Sequence, residues 1–246
     1  MKRALEQMQG CFFAHRGLHS AAEGIPENSL PAFERAARAG YGVELDVRLS
    51  ADHELMVFHD DTLARLCGCA GRIEEMKAAE LQRLSLAGSE HTIPTLAECL
   101  RALKGVPLIV EIKAGPRLKE VTLAAAEALA DYPGPWCLES FHPKVLRILR
   151  KHAPQVVRGQ LALSRTRPGH WGVDTLQRYL IHLPYSQPDF VAYEFSGKES
   201  ALALWTVKHL WRLPLAGWTI RSPEQSDAAR QKGCALQIFE GWRPPS

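Results

Sequence analysis

Short apolar or β-branched runs recur along the chain, and helix-forming stretches fill the intervals between them. The runs cover residues 11–15, 43–47, 108–113, 136–141, 156–163, 190–195, 215–220 and 235–240. Strands alternating with helices in this way predict parallel strands joined by crossover helices. Eight of them suit a closed eight-stranded barrel.

Helix ends are also readable. Asn28 or Ser29 is placed to cap a helix that has Pro31 in its first turn and runs to Arg38, while Thr95 and Glu98 have capping-box spacing. Pro143, Glu199 and Pro223 open further helices, and residues 117–130 carry the strongest helical propensity. Leu5-Glu6-Gln7-Met8 is a candidate to pack against the barrel, and no helix is predicted after Glu240. The interval from Ser50 to Pro107 exceeds the usual βα connection of about 2 to 6 residues. It is expected to hold a helix and a small inserted subdomain at 61–91, between the second and third barrel strands. No Ser/Gly-rich linker divides residues 1–246, which predicts a single barrel domain.

Charged residues inside these runs carry the chemical information, because a barrel strand is covered on both faces and a charge there needs a partner or a task. Glu44 and Asp46 lie two apart and share one strand face, as do Glu111 and Lys113. Three carboxylates at the carboxyl ends of parallel strands are hard oxygen ligands of the kind Mg²⁺ or Ca²⁺ prefers. Residues 45–60 read as a hairpin, and a two-residue Asp52-His53 loop would set Asp46 directly opposite His59. A slip of one residue would turn His59 to the other face. His15 ends the first strand immediately before Arg16-Gly17. Two histidines beside a metal suit acid–base chemistry on a phosphate ester. Arg16 offers a planar fork for phosphate, and Gly17 allows close backbone approach. Lys113 is placed either to neutralise phosphoryl charge or to form an internal ion pair with Glu111.

Composition narrows the field. Of 246 residues, 46% are hydrophobic and 23% charged, the proportions of a soluble globular protein. The net charge of +3 comes from basic residues scattered along the chain, which gives no footing for a nucleic-acid interface. No apolar stretch is long enough to span a bilayer, and the amino terminus lacks the pattern of a signal peptide. The expectation is therefore a cytoplasmic protein with no membrane anchor, its six cysteines reduced. The Cys67-Gly68-Cys69 spacing is not that of a zinc knuckle.

Taken in order, His15-Arg16-Gly17, Pro26-Glu27-Asn28-Ser29, Glu44-Leu45-Asp46-Val47, His59-Asp60, Ile93-Pro94-Thr95-Leu96, Glu111-Ile112-Lys113, Ser140-Phe141 and Trp218-Thr219 resemble the glycerophosphodiester phosphodiesterase family over almost the whole chain. The resemblance implies a (β/α)₈ TIM barrel that hydrolyses glycerophosphodiesters to glycerol 3-phosphate and an alcohol with one divalent cation, Mg²⁺ or Ca²⁺, with Mn²⁺ a further candidate. It implies Glu44, Asp46 and Glu111 as metal ligands, His15 and His59 as the acid–base pair, and Arg16 and Lys113 as phosphate contacts. It also places Trp218 against the glycerol carbons, where the residue alone reads equally as core. The chain departs from the family at Leu66-Cys67-Gly68-Cys69, where a Thr- and Gly-rich stretch is usual, and near its end, where Glu240 stands for a customary Asp. Two other readings use the same residues: a phospholipase D-like enzyme acting on lysophospholipids, and a non-catalytic phosphodiester-binding barrel. The polar residues of 61–91 favour a small soluble glycerophosphodiester substrate over a lipid.

Overall fold

The computed structural model describes residues 3–164 and 180–245, together with Gly172, Thr175 and Arg178. Eight parallel strands close into a ring. They are β1 (Phe12–Ala14), β2 (Gly42–Leu49), β4 (Leu108–Ile112), β5 (Trp136–Ser140), β6 (Arg158–Ala162), β7 (Phe190–Glu194), β8 (Leu215–Ile220) and β9 (Cys234–Phe239), with β9 pairing back onto β1. Each falls on one of the eight runs read from the sequence. β3 (Leu55–Val57) lies outside the ring, antiparallel to β2.

Because side chains alternate along a strand, every second residue points into the barrel. The interior is apolar where the strands begin: Phe13, Ile109, Cys137, Val157, Phe190, Ala216 and Leu236 form one buried cluster. Gly42 and Gly159 make this packing possible, since a methyl group at either would overlap the ring of Phe13 or Phe190. The amino-terminal helix α1 (Arg3–Met8) adds Leu5 and Met8 to the same cluster, both fully buried, so the predicted docking of this segment is realised as a plug.

The outward residues of the first strands pack beneath an outer layer of helices: α2 (Leu30–Arg38), α5 (Leu96–Leu103), α6 (Leu118–Ala128) and α7 (Pro143–His152). Further round the barrel lie α8 (Leu183–Ser186), α9 (Ala201–Trp205), which continues as a π-helical turn over Thr206–Trp211, and α10 (Pro223–Gln231). Thr95 and Glu98 form the predicted capping box on α5. Ser29 holds the N-cap position of α2, but its hydroxyl donates back to the Pro26 carbonyl at 2.6 Å instead of capping an amide. The helix expected at Glu199 starts at Ala201 because Ser200 caps it, accepting from Ala203 N–H. Among the described residues no helix follows β9, and the segment after it is held by Trp242 Nε1 donating to Ile220 O and Tyr41 Oη donating to Pro244 O.

Between β3 and α5 lie α3 (Ala64–Cys67), a 3₁₀ turn (Ile73–Glu75) and α4 (Ala78–Leu81), folded over an apolar centre of Met56, Phe58, Leu63, Ile73, Leu81 and Ile93. The β2–β3 hairpin differs from the expected register. Val47 pairs with Val57 and Leu49 with Leu55, so Asp46 lies opposite Phe58, whose N–H donates to Asp46 O, and not opposite His59. The loop has three residues, Ala51-Asp52-His53, where two were expected. His53 takes a left-handed φ of 68°, and Asp52 is anchored by accepting from Ser50 Oγ and Ala78 N–H. His59, just beyond the last paired residues, still lines the cavity at the barrel mouth, while Phe58 before it packs into the centre of the inserted segment. Among the described residues, no helix is long and apolar enough to cross a membrane.

Candidate active site

At the carboxyl ends of the strands the interior changes character. Ile109 is followed on its own face by Glu111 and Lys113, and Cys137 by Glu139 and Phe141. Glu111, Lys113, Glu139 and Phe141, with His15, Arg16, Glu44, His59 and Trp218, line a cavity of about 510 Å³. Asp46 and Glu111 are register partners on β2 and β4. One carboxylate oxygen from each of Glu44, Asp46 and Glu111 lies within 4.8 Å of the other two. Asn28, fully buried, donates Nδ2–H to Asp46 Oδ2 at 2.8 Å, and its own N–H donates to Arg16 O. It thereby ties the β1 loop to the acidic cluster.

The electrostatics of this cluster are uneven. Burial and the neighbouring Asp46, Glu111 and Glu139 push Glu44 well above the usual carboxylate range. Burial pushes Glu139 up as well, reinforced by Glu111 and Asp46. Burial acts on Asp46 in the same direction, but Lys113 and Arg16 outweigh it and hold that carboxylate below its usual range. Lys113 Nζ lies 3.2 Å from Asp46 Oδ1 and 2.8 Å from Glu111 Oε1, so it is both a cavity-lining cation and the internal ion pair anticipated for it. Four carboxylates no more than 8% exposed, Glu44, Asp46, Glu111 and Glu139, thus meet two cations, Lys113 and Arg16, the second shared with Glu27. A surplus of buried negative charge over clustered hard oxygens suits a divalent cation. Glu44, Asp46 and Glu111 are the residues placed to hold it.

The two histidines flank this cluster, each with its own carboxylate. His15 Nδ1 is 2.7 Å from Glu240 Oε2, and its Nε2 is 3.9 Å from Glu44 Oε2. Glu240 is held down to about 2, chiefly by its hydrogen bond to His15, and also contacts Arg221 Nη2 at 3.2 Å. His59 Nδ1 is 2.7 Å from Asp60 Oδ1, and Asp60 is bound in turn by Arg65. Burial lowers His59 below the ordinary histidine range, against the opposing pull of Asp46. In both pairs a carboxylate on one ring nitrogen orients the other.

Arg16 adopts a left-handed φ of 54° and donates its N–H to Glu44 Oε2 at 2.9 Å. Its guanidinium spans Glu27 Oε1 at 2.8 Å and Asp46 Oδ2 at 3.3 Å. Gly17 lies so close to Ala32 that a Cβ would stand 2.8 Å from the alanine methyl. Across the cavity, Trp218 packs edge-on to Phe141 with ring centroids 5.4 Å apart and donates Nε1–H to Ala192 O. All eight residues singled out from the sequence are therefore gathered at one end of the barrel.

Sequence reasoning passed over Glu139, the Glu240–His15 pair and the orienting role of Asn28. Glu139 gave the same signal as Glu111, a charge on a core strand. The partnership of Glu240 with His15 spans 225 positions and becomes visible only when β9 closes on β1.

Residues 15–235 match the model of the glycerophosphoryl diester phosphodiesterase family. A glycerophosphodiester phosphodiesterase of Caldanaerobacter subterraneus is 30% identical over 191 residues, covering 71% of this chain and 76% of that protein. Among solved structures, a phosphodiesterase of Oleispira antarctica in complex with the product sn-glycerol-3-phosphate superposes with a TM-score of 0.78 at 24% identity, covering 96% of this chain and 94% of that one. A glycerophosphodiester phosphodiesterase of Thermotoga maritima gives 0.72 at 25% identity, with 93% of each chain covered.

Proposed function

The chain belongs to the glycerophosphodiester phosphodiesterase family of hydrolases, and from that premise we propose that it cleaves water-soluble glycerophosphodiesters by acid–base catalysis from His15 and His59 beside one divalent cation held by Glu44, Asp46 and Glu111. The observation that carries this reading is the buried acidic triad bracketed by two carboxylate-oriented histidines on a single cavity. A bound cation supplies Lewis-acid stabilisation of a phosphoryl oxygen. Everything else comes from the chain.

Arg16 and Lys113 offer positive charge to the phosphate where negative charge develops during displacement. One histidine removes the proton of the attacking hydroxyl, either water or the glycerol 2-hydroxyl, and the other returns a proton to the departing alcohol oxygen; attack by the 2-hydroxyl gives a cyclic phosphate, which water then opens in a second displacement to glycerol 3-phosphate. Burial favours the neutral state of His59, the state a base requires. Trp218 and Phe141 give the glycerol carbons an apolar wall, which excludes water from one side of the phosphate.

Substrate preference follows from the segment at 61–91. Leu63, Leu66, Ile73 and Leu81 are spent on its own centre, leaving Arg65, Arg72 and Glu75 toward the solvent side, while Glu74 turns inward to Arg48. Little apolar surface is left for an acyl chain, whose burial contributes about 0.8 kcal/mol per methylene. Glycerophosphocholine and glycerophosphoethanolamine are therefore expected to be better substrates than their acylated forms. The test is a panel of glycerophosphodiesters assayed with Mg²⁺, Ca²⁺ and Mn²⁺, together with a competition between glycerophosphocholine and lysophosphatidylcholine below its micellar concentration. A higher kcat/KM for the lysolipid overturns the substrate assignment in favour of a phospholipase D-like activity.

A further inference from the structure

We propose that the outer flank formed by α7, α8 and α9 with its π-helical continuation docks the protein peripherally on an anionic lipid surface. The large hydrophobic side chains that stand exposed among the described residues are Ile181, Tyr185, Leu202, Trp205 and Leu210, between 39% and 69% exposed, and all five lie on this flank. A cluster of exposed apolar side chains marks an interaction surface where single scattered ones do not. The helices of this flank are joined by contacts. Arg147 of α7 stacks over the ring of Tyr185 at 4.6 Å, and Leu180 and Leu183 share a buried cluster with Ala203, Leu204 and Val207 of the neighbouring helix.

The charge around these residues selects the occupant. α7 reads Pro143-Lys-Val-Leu-Arg-Ile-Leu-Arg-Lys-His152, with Lys144, Arg147 and Lys151 exposed and no acidic residue. Lys198, Lys208 and Arg212 stand exposed around Leu202, Trp205 and Leu210. None of these six cations forms an ion pair with a described residue. Among the described residues the acids of the same stretch are withdrawn: Asp189 lies 3.6 Å from Arg158, Glu194 lines the cavity, and Glu199 is bound by Lys232 at 2.7 Å. Basic residues that appear scattered in the sequence are thus gathered by the fold around an apolar patch.

Lysine and arginine bordering tryptophan and aliphatic side chains on a helix face is the composition of segments that lie in the interface of an anionic bilayer. A second copy of the chain is a poorer fit, because a two-fold contact would bring the same cations together. Aliphatic Ile181, Leu202 and Leu210 offer no ring to stack on nucleic-acid bases. Crossover helices run back against the strand direction, so Leu202 lies at the end where the cavity opens and Leu210 toward the opposite end. The bilayer then lies along the barrel flank, with the cavity opening beside it.

This inference rests on none of the catalytic assignments. It is tested by co-sedimentation of the full chain with vesicles of phosphatidylcholine alone and of phosphatidylcholine mixed with phosphatidylglycerol. The expected result is partitioning onto the anionic vesicles at least ~10-fold above the neutral ones, falling as added salt shortens the screening length. Two double variants, Arg147→Glu with Lys151→Glu and Trp205→Ser with Leu210→Ser, each reduce that partitioning by about tenfold or more while the unfolding temperature and turnover of glycerophosphocholine stay at the wild-type level. Wild-type protein that fails to prefer the anionic vesicles overturns the proposal, as does binding that survives both double variants. Sedimentation velocity supplies the remaining outcome: a dimer that the Trp205 and Leu210 changes dissociate, without vesicle binding, assigns the flank to a second copy and also overturns it.

Discussion

Where the barrel strands begin, the interior is filled by Phe13, Ile109, Cys137, Phe190 and Leu236 and closed by Leu5 and Met8; where the same strands end, it holds Glu44, Asp46, Glu111, Lys113 and Glu139. On β4 a single residue, Val110, separates Ile109 from Glu111. The difference lies in what the connecting segments can offer. At the carboxyl ends they bring Arg16, Asn28, Lys113 and His59 to meet buried carboxylates. At the amino ends α1 brings only apolar side chains, and a buried charge there would stand uncompensated. The apolar end should therefore carry stability and the charged end activity, at some cost in stability from carboxylates that repel one another.

The largest effect should come from breaking the charged end. Glu44→Gln is expected to lower kcat/KM by about 10³-fold, the scale of several kcal/mol of lost charge stabilisation. Thermal unfolding should hold or rise, since the substitution removes repulsion with Asp46 and Glu111. A clear fall in unfolding temperature would contradict the comparison. His59→Ala or His15→Ala should each lower turnover by about 10² or more. A protein lacking both histidines that stays within about tenfold of wild type would defeat the assigned chemistry.

At the apolar end the signs should reverse. Leu5→Ala or Met8→Ala removes a fully buried side chain and is expected to cost about 2–5 kcal/mol in denaturant unfolding, with kcat/KM of the folded protein unchanged. Activity loss without destabilisation would mean that α1 does more than close the barrel.

A smaller effect sharpens the picture at the charged end. Glu240→Gln keeps shape but loses the charge that orients His15, and should lower kcat by roughly tenfold, with Glu240→Asp intermediate. The pair also has a pH signature. The Glu240 carboxyl falls from an ordinary 4.5 to about 2 in the folded chain. Its contribution to stability is then present above 4.5 and is lost as pH falls through that window toward 2. Unfolding followed across this range should show Glu240→Gln losing less stability on acidification than wild type. Parallel curves would place the hydrogen bond elsewhere.

Much of this was legible in the sequence because it rests on local rules. Strand alternation placed Glu44 with Asp46 and Glu111 with Lys113, the capping box placed α5, and Pro31 in the first turn placed α2. The hairpin register was missed because a three-residue loop with His53 in a left-handed conformation and a two-residue turn are both compatible with Ser50-Ala-Asp-His-Glu54. His59 lines the cavity, but not through the cross-strand contact predicted for it, since Phe58 stands opposite Asp46. Glu240 could not be assigned to His15 from spacing, since ring closure sets that contact. The stacking of Arg147 of α7 over Tyr185 was hidden for the same reason, since the two residues are distant in sequence and meet only in the folded barrel.

The central claim is that the acidic cluster between the two histidines hydrolyses phosphodiesters with a divalent cation. It is tested most directly by incubating the purified chain with glycerophosphocholine and measuring glycerol 3-phosphate before chelation, after exhaustive EDTA treatment, and after adding back Mg²⁺, Mn²⁺ or Ca²⁺. Release that stops with EDTA and returns with at least one of these cations is the predicted result. Undiminished release after exhaustive chelation would contradict it.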